Sequence, residues 1–288
     1  MRDQYKITEL CDALNVSPSG YHAAAKRAPS KRQRENQKLL AAMKSIHRHR
    51  HTRAYGSPRL TVELRNSGLA CSENRVARLM RAGGLRASTR KPFRPRTTQP
   101  DHAAHPSPNL LPQAGPPTAP GQQLVSDITY IPTREGWLYL AVVIDLFSRA
   151  ILGWDLGPSL HASLVTTALR RAFDSGLVLP GAIFHSDRGC QYTAGTTRAL
   201  LARAGLRQSM SAPGCCYDNA FAESAFASIK SELIENASPF ASKAAASTAV
   251  FDYMETFYNR KRLHGALGFQ SPHAFLKNYF QNLNPSLN

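Results

Sequence analysis

Apolar residues recur at helical spacing at both ends of the chain and in short continuous runs through its middle. Ile7, Leu10, Cys11 and Leu14 fall three and four apart, as do Leu39, Leu40, Met43 and Ile46, and then Val76, Leu79 and Met80. Each set predicts one packing stripe on an otherwise polar helix. Asn15-Val16-Ser17-Pro18-Ser19-Gly20 reads as a turn with its own N-cap ahead of a helix starting at Tyr21, the outline of a helix-turn-helix. Ser72 opens the helix carrying Val76, and Gly83-Gly84 closes it. The middle of the chain changes period. Strands are predicted near 123–131, 137–144, 150–156, 181–185 and 207–210, with helices near 162–175, 193–204 and 218–235. Three consecutive strands followed by alternating helices and strands make an α/β unit, a mixed sheet with helices on its faces. Phe240, Ala244, Val250, Tyr253, Met254 and Phe257 then give a further helical face, and Ser271-Pro272 opens a last short helix.

Prolines divide the pattern. Nine fall within residues 88–121, a density that forbids regular structure and predicts an extended linker. The expected divisions are a basic helical segment (1–53), a helix-turn-helix-like module (54–87), the linker (88–121), an α/β core with a C-terminal helical extension (122–278) and a tail (279–288).

Charge sharpens this division. Of the formal +17, residues 1–100 carry 22 Lys or Arg against 6 Asp or Glu, while residues 101–288 carry 14 against 13. A basic front third points to a polyanionic partner. The five cysteines are scattered, with no CxxC pair, which argues against a zinc site or a disulfide framework and for a reducing cytoplasm. No apolar run approaches the roughly 20 residues of a membrane span.

Three acids carry the candidate chemistry. Asp127 interrupts the apolar run Leu124–Ile131, Asp187 follows the run Ala182-Ile183-Phe184, and Glu223 lies about one turn into the helix that Asp218 or Asn219 can cap. Singly each reads as a solvated acid. Together they can meet at one end of a sheet, where they repel unless a cation neutralises them. Oxygen ligands suit Mg²⁺ or Mn²⁺, and two such ions suit in-line displacement at phosphorus. Asp145, in Ile144-Asp145-Leu146-Phe147-Ser148-Arg149, reads instead as a structural turn residue, and His185 is not assigned as a general base.

Asp127, Asp187 and Glu223, with 35 residues between the last two, resemble the DDE triad of integrase-like transposases. Ser126-Asp127-Ile128-Thr129-Tyr130-Ile131, Gly136 to Arg149, His185-Ser186-Asp187-Arg188-Gly189, Tyr217-Asp218-Asn219-Ala220 and Phe257-Tyr258-Asn259-Arg260 resemble one bacterial group. That group is the insertion-sequence transposases whose catalytic subunit is encoded in a second reading frame (OrfB type). The resemblance covers roughly residues 50–278 and implies a ribonuclease-H-like integrase core. It implies cleavage of element ends and joining of 3′-hydroxyls to target DNA with two Mg²⁺ or Mn²⁺ ions. Asp127 and Asp187 would share one ion, and Glu223 would join Asp127 at the other. Further implications are double-stranded DNA as partner (element ends and target), a homo-oligomer, an upstream-frame protein as partner or fusion, and a cytoplasmic, nucleoid-associated location. The chain departs from the pattern in lacking a basic residue at 211–214 and in carrying Ala225 where a bulky aromatic is common.

The expected DNA contacts follow. Lys230 lies seven residues after Glu223, on the same helical face, to hold a phosphate, and Asn219 lies one turn before it. Arg59, Arg75 and Arg78 are expected to contact DNA from the module at 54–87, and Arg260, Lys261 and Arg262 from the C-terminal basic cluster. Two alternatives stay open: a ribonuclease-H-like nuclease without strand transfer, and a non-catalytic DNA-binding relic or repressor.

Overall fold

The computed structural model describes residues 5–87, 107–211, 220–233 and 239–283, with the side chains of 220–223 outside that description. The chain opens with five helices: α1 (Ile7–Ala13), α2 (Pro18–Lys26), α3 (Lys31–Arg48), α4 (Ser57–Asn66) and α5 (Glu73–Ala82). Serines start three of them. Ser17, Ser30 and Ser72 accept hydrogen bonds from the backbone N–H groups of Gly20, Gln33 and Arg75, satisfying donors that the first turn leaves unpaired. Leu39 and Met43 of α3 pack with Leu60 and Leu64 of α4 and with Val76, Leu79 and Met80 of α5. α3 therefore belongs to the same packed unit as α4 and α5, and the division expected at residue 53 cuts through it.

The proline-rich stretch also differs from its expectation. Residues 88–106 lie outside the described residues, but the rest is laid on the core. Pro108 O accepts from Met210 N, Leu110 N donates to Ser209 Oγ, and α6 (Leu111–Ala114) follows. A linker reading from proline content alone overlooks that extended backbone can pair with a sheet edge.

The strands are β1 (Gln123–Thr133), β2 (Gly136–Asp145), β3 (Ile151–Gly157), β4 (Ile183–Ser186) and β5 (Arg207–Met210), and their order in the sheet is β3-β2-β1-β4-β5. β1–β3 form an antiparallel meander, while β4 and β5 run parallel to β1. This is the mixed sheet expected from the order of elements, in the ribonuclease-H-like arrangement that the resemblance implies. α7 (Ala162–Asp174), α8 (Cys190–Thr193) and α9 (Gly195–Arg203) follow the meander. Leu164, Val165, Ala168 and Leu169 of α7 cover one face of the sheet, against Leu124, Ala141 and Val143.

The other face is covered by α10 (Ala220–Leu233), α11 (Lys243–Phe251) and the π-helix Asp252–Tyr258 that continues α11. Phe226, Ile229 and Leu233 of α10 meet Val125, Ile131 and Val142 there. Val250, Tyr253, Met254 and Phe257 are buried as expected, but Ala246 and Ala249 take the place foreseen for Ala244, which is exposed. The last helix, α12 (Pro272–Leu283), runs past residue 278, so the first part of the expected tail is helical, with Tyr279 edge-on to Phe147. The same core cluster takes in the α3–α5 unit. Leu263 N donates to Tyr55 Oη at 3.1 Å, and His51 Nε2 lies 2.8 Å from Asp252 Oδ2. The C-terminal segment thus sits between the N-terminal helices and the sheet.

Candidate active site

Val125 of β1 pairs in parallel with His185 of β4. Two residues further along each chain stand Asp127 and Asp187, where β4 has just ended and the two backbones part. The crevice outside the carboxyl end of a strand is where open α/β sheets bind ligands. Side chains alternate across a strand, so Asp127 shares its face with Val125 and Ile131, and with its antiparallel partner Val142. That is the face α10 covers. On α10, Glu223, Phe226, Lys230 and Leu233 recur at three and four, which puts the Glu223 and Lys230 positions on the stripe that carries Phe226 and Leu233.

Both aspartates are half-buried and tied to backbone. Asp127 Oδ1 accepts from Ile128 N at 2.7 Å, and Asp187 Oδ1 accepts from Gly189 N at 3.0 Å. A Cβ at residue 189 would lie 3.0 Å from both Asp187 Oδ1 and Gln191 Oε1, so glycine there lets the Asp187 carboxylate sit close to the backbone. Beneath them Tyr192 is fully buried, its hydroxyl 3.0 Å from Ser126 Oγ. Burial first, then the charges of Asp127 and Asp187, hold its phenol well above the usual range, so it stays neutral beside the carboxylates. Asp127 and Asp187 are hard oxygen donors of the type Mg²⁺ and Mn²⁺ take. Among the described side chains no three acids, His or Cys gather as a metal cluster, and the Glu223 carboxylate is not among those described.

The two acid–base decoys have structural duties. Asp145 is buried and accepts from Gly121 N, Ser148 N and Ser148 Oγ at 2.9, 2.8 and 2.6 Å, closing the turn between β2 and β3. His185 is buried, with Nδ1 2.9 Å from Ser209 Oγ and Nε2 3.1 Å from Ser211 Oγ.

The expected DNA contacts divide. Arg78, Arg260 and Lys261 are exposed and Lys230 is half-buried. Asn219 lies outside the described residues. Arg262 corrects its expectation: its side chain is 4% exposed and grips Glu232 with two nitrogens, at 2.7 and 2.8 Å. Arg59 points to the same carboxylate at 3.2 Å. Arg75 is held by Asn36 Oδ1 at 2.9 Å and Glu35 Oε2 at 3.1 Å, clamping α5 to α3. A basic cluster in sequence marks positive charge but does not reveal a carboxylate waiting elsewhere in the chain. Three further residues matter that the sequence pattern does not single out. Tyr192 comes three residues after the motif His185–Gly189, and Asn259 lies within Phe257–Arg260, where it pairs through its amide with both Ile151 N and O. Glu232 has no local signal at all. An open hollow of about 420 Å³ is lined by Lys44, His47, Arg48, Gly84, Leu85 and Arg86, with no acid on its wall.

Residues 117–216 and 204–272 match two integrase core domain families, and residues 34–93 match an HTH-like domain. The chain is 41% identical over 278 residues to the transposase InsF for insertion sequence IS3A of Escherichia coli, covering 94% of both chains. It is 39% identical over 273 residues to an insertion element IS600 31 kDa protein of Shigella sonnei, covering 94% of this chain and 99% of that one. Among solved structures, the simian T-cell lymphotropic virus intasome aligns with a TM-score of 0.45 at 14% identity, over 77% of this chain and 70% of that one.

Proposed function

The chain belongs to the insertion-sequence transposases of the IS3 type, polynucleotidyl transferases with an HTH-like domain and an integrase core, and on that premise we propose that Asp127, Asp187 and Glu223 are its catalytic acids. The observation that carries this reading is the strand register: Asp127 within β1 and Asp187, one residue past the end of the neighbouring parallel β4, stand level with each other, and the face of β1 that carries Asp127 is covered by the helix of Glu223. DNA is the partner, and no helix among the described residues is long and apolar enough to cross a membrane. The two aspartates, with Glu223, would hold two divalent ions, Mg²⁺ or Mn²⁺. Bound there, the ions neutralise the acids and polarise the phosphoryl oxygens for in-line displacement.

The chain's own residues do the rest. Ile128 N and Gly189 N each hold one oxygen of Asp127 and Asp187 in place. Tyr192 fills the space beneath without titrating. Lys230, and Asn219 four residues before Glu223 in sequence, would position the scissile strand. Lys44, Arg48 and Arg86 around the open hollow, with Arg78, would hold backbone phosphates outside the active site. Arg260 and Lys261 would extend that contact. The protein would act in the cytoplasm as a homo-oligomer, since two element ends are joined together, and with the product of an upstream reading frame.

The test is strand transfer on a labelled element-end duplex with Mg²⁺ or Mn²⁺, comparing the parent with Glu223→Gln. Joined product from the parent alone supports the reading. Equal product from both rejects Glu223, and hydrolysis without joining favours the nuclease.

A further inference from the structure

The last turn of α10 carries a buried polar hub that the reaction chemistry does not use. Glu232 is 2% exposed at its side chain. Its Oε2 accepts from Arg262 Nε and from Tyr253 Oη, both at 2.7 Å. Its Oε1 accepts from Arg262 Nη2 at 2.8 Å and from Arg59 Nη1 at 3.2 Å. Four donors saturate one carboxylate. Each guanidinium also lies over an aromatic ring, Arg262 on Tyr258 at 5.5 Å and Arg59 on Tyr55 at 5.2 Å. Next to the hub, Arg50 Nη2 reaches Leu233 O at 3.5 Å, placing a second cation from the N-terminal helices at the end of α10.

The contributors come from three places. Glu232 is on the helix that carries Glu223, Arg59 is on α4 of the HTH-like unit, and Tyr253 and Arg262 belong to the C-terminal segment. Stability alone does not explain such a group, because well-packed apolar residues of similar volume usually do as well as a buried ion pair. Directionality does. Phe226, Ile229 and Leu233 hold α10 against the sheet by apolar contact, which tolerates small slides and rotations. A bidentate fork on one carboxylate tolerates neither. Glu223 lies nine residues upstream, about 14 Å along a rigid helix, so a shift at the hub is carried to it.

We propose that Glu232, Arg262 and Arg59 are positioning residues: they fix the rotation and height of α10, and so set the catalytic Glu223 relative to Asp127 and Asp187. Arg59 makes the HTH-like unit part of that setting, so the active site is fully formed only with the unit docked. This rests on Glu223 being the third acid.

The test uses the full chain with Arg59→Met and Arg262→Lys, the second keeping charge but losing the fork. Three quantities are compared with the parent: Mn²⁺ binding by titration calorimetry, DNA affinity without divalent ions across salt concentrations, and kcat and KM for strand transfer. Both variants are expected to weaken Mn²⁺ binding about fivefold or more and lower kcat about tenfold or more, with KM for DNA unchanged. Arg59→Met is expected to keep the metal-free DNA affinity and its salt dependence. Parental Mn²⁺ binding and kcat in either folded variant overturns the proposal. So does weaker metal-free DNA binding by Arg59→Met with a salt slope reduced by about one, because Arg59 is then a phosphate contact. If the parent binds Mn²⁺ but joins no DNA ends, the strand-transfer reading fails, while the Mn²⁺ comparison still decides this one.

Discussion

Asp145 and Asp187 both stand at strand ends, and their surroundings give them opposite work. Asp145 is sealed in a turn and spends its oxygens on three donors from Gly121 and Ser148. Asp187 is half-buried beside Asp127, with Gly189 N on one oxygen. Asp187→Asn is therefore expected to cut strand transfer by about 10²-fold or more while leaving the thermal midpoint near the parent's. Asp145→Asn is expected to do the reverse. It turns one acceptor oxygen into a donor facing donors, at a cost of about 2–3 kcal/mol, read by urea unfolding, with Mn²⁺ affinity unchanged in the folded protein.

At the scale of elements, close approach between helix and strand shapes the sheet that carries the site. α7 crosses β3 at Gly153, where an added Cβ would collide with Ala168 O and Ala172 N. Backbone cannot move aside as a flexible side chain does. Gly153→Ala is expected to destabilise the fold by about 2–3 kcal/mol, measured by thermal unfolding, without altering the DNA affinity of the folded fraction. On the outer edge of β3 the side chain of Asn259 takes the part of a neighbouring strand, pairing with Ile151 N and O. That pairing holds the end of the π-helix on the sheet, and it explains an asparagine in a stretch otherwise read as basic and aromatic.

For the whole molecule, the junction between the N-terminal helices and the C-terminal segment makes stability depend on pH. His264 is buried beside Arg262, and burial first, then the charges of Arg262, Arg59 and Arg149, push its pKa down to about 2. His51, at the same junction, is also lowered, mainly by burial. The unfolded chain binds a proton at His264 below about pH 6.5 while the folded chain refuses it, and His51 shifts in the same direction. Stability is therefore lost as pH falls from about 6.5 towards 2. At pH 5 the His264 contribution alone is a loss of about 2 kcal/mol. His264→Gln is expected to flatten the fall between pH 7 and pH 5, measured by chemical unfolding at each pH; an unchanged slope would remove His264 as the source.

The sequence by itself determined the order and type of the elements. Strand and helix periods are local, Ser17 and Ser72 announce their helices, and an acid interrupting an apolar run marks Asp127 as an unusual place for charge. Asp145 was legible as a turn residue for the same local reason. What only the tertiary structure decided is what each face meets. Arg59 and Glu232 are 173 residues apart, Tyr55 and Leu263 208 apart, and Arg262 and Glu232 30 apart. Periodicity tells which side of a helix is apolar and which residues are charged, but a long-range partner leaves no trace in the local pattern. Hence the docking of the HTH-like unit, the capture of Arg59 and Arg262, both expected on DNA, by one buried carboxylate, and the pairing of Pro108 and Leu110 with β5 all had to wait for the structure.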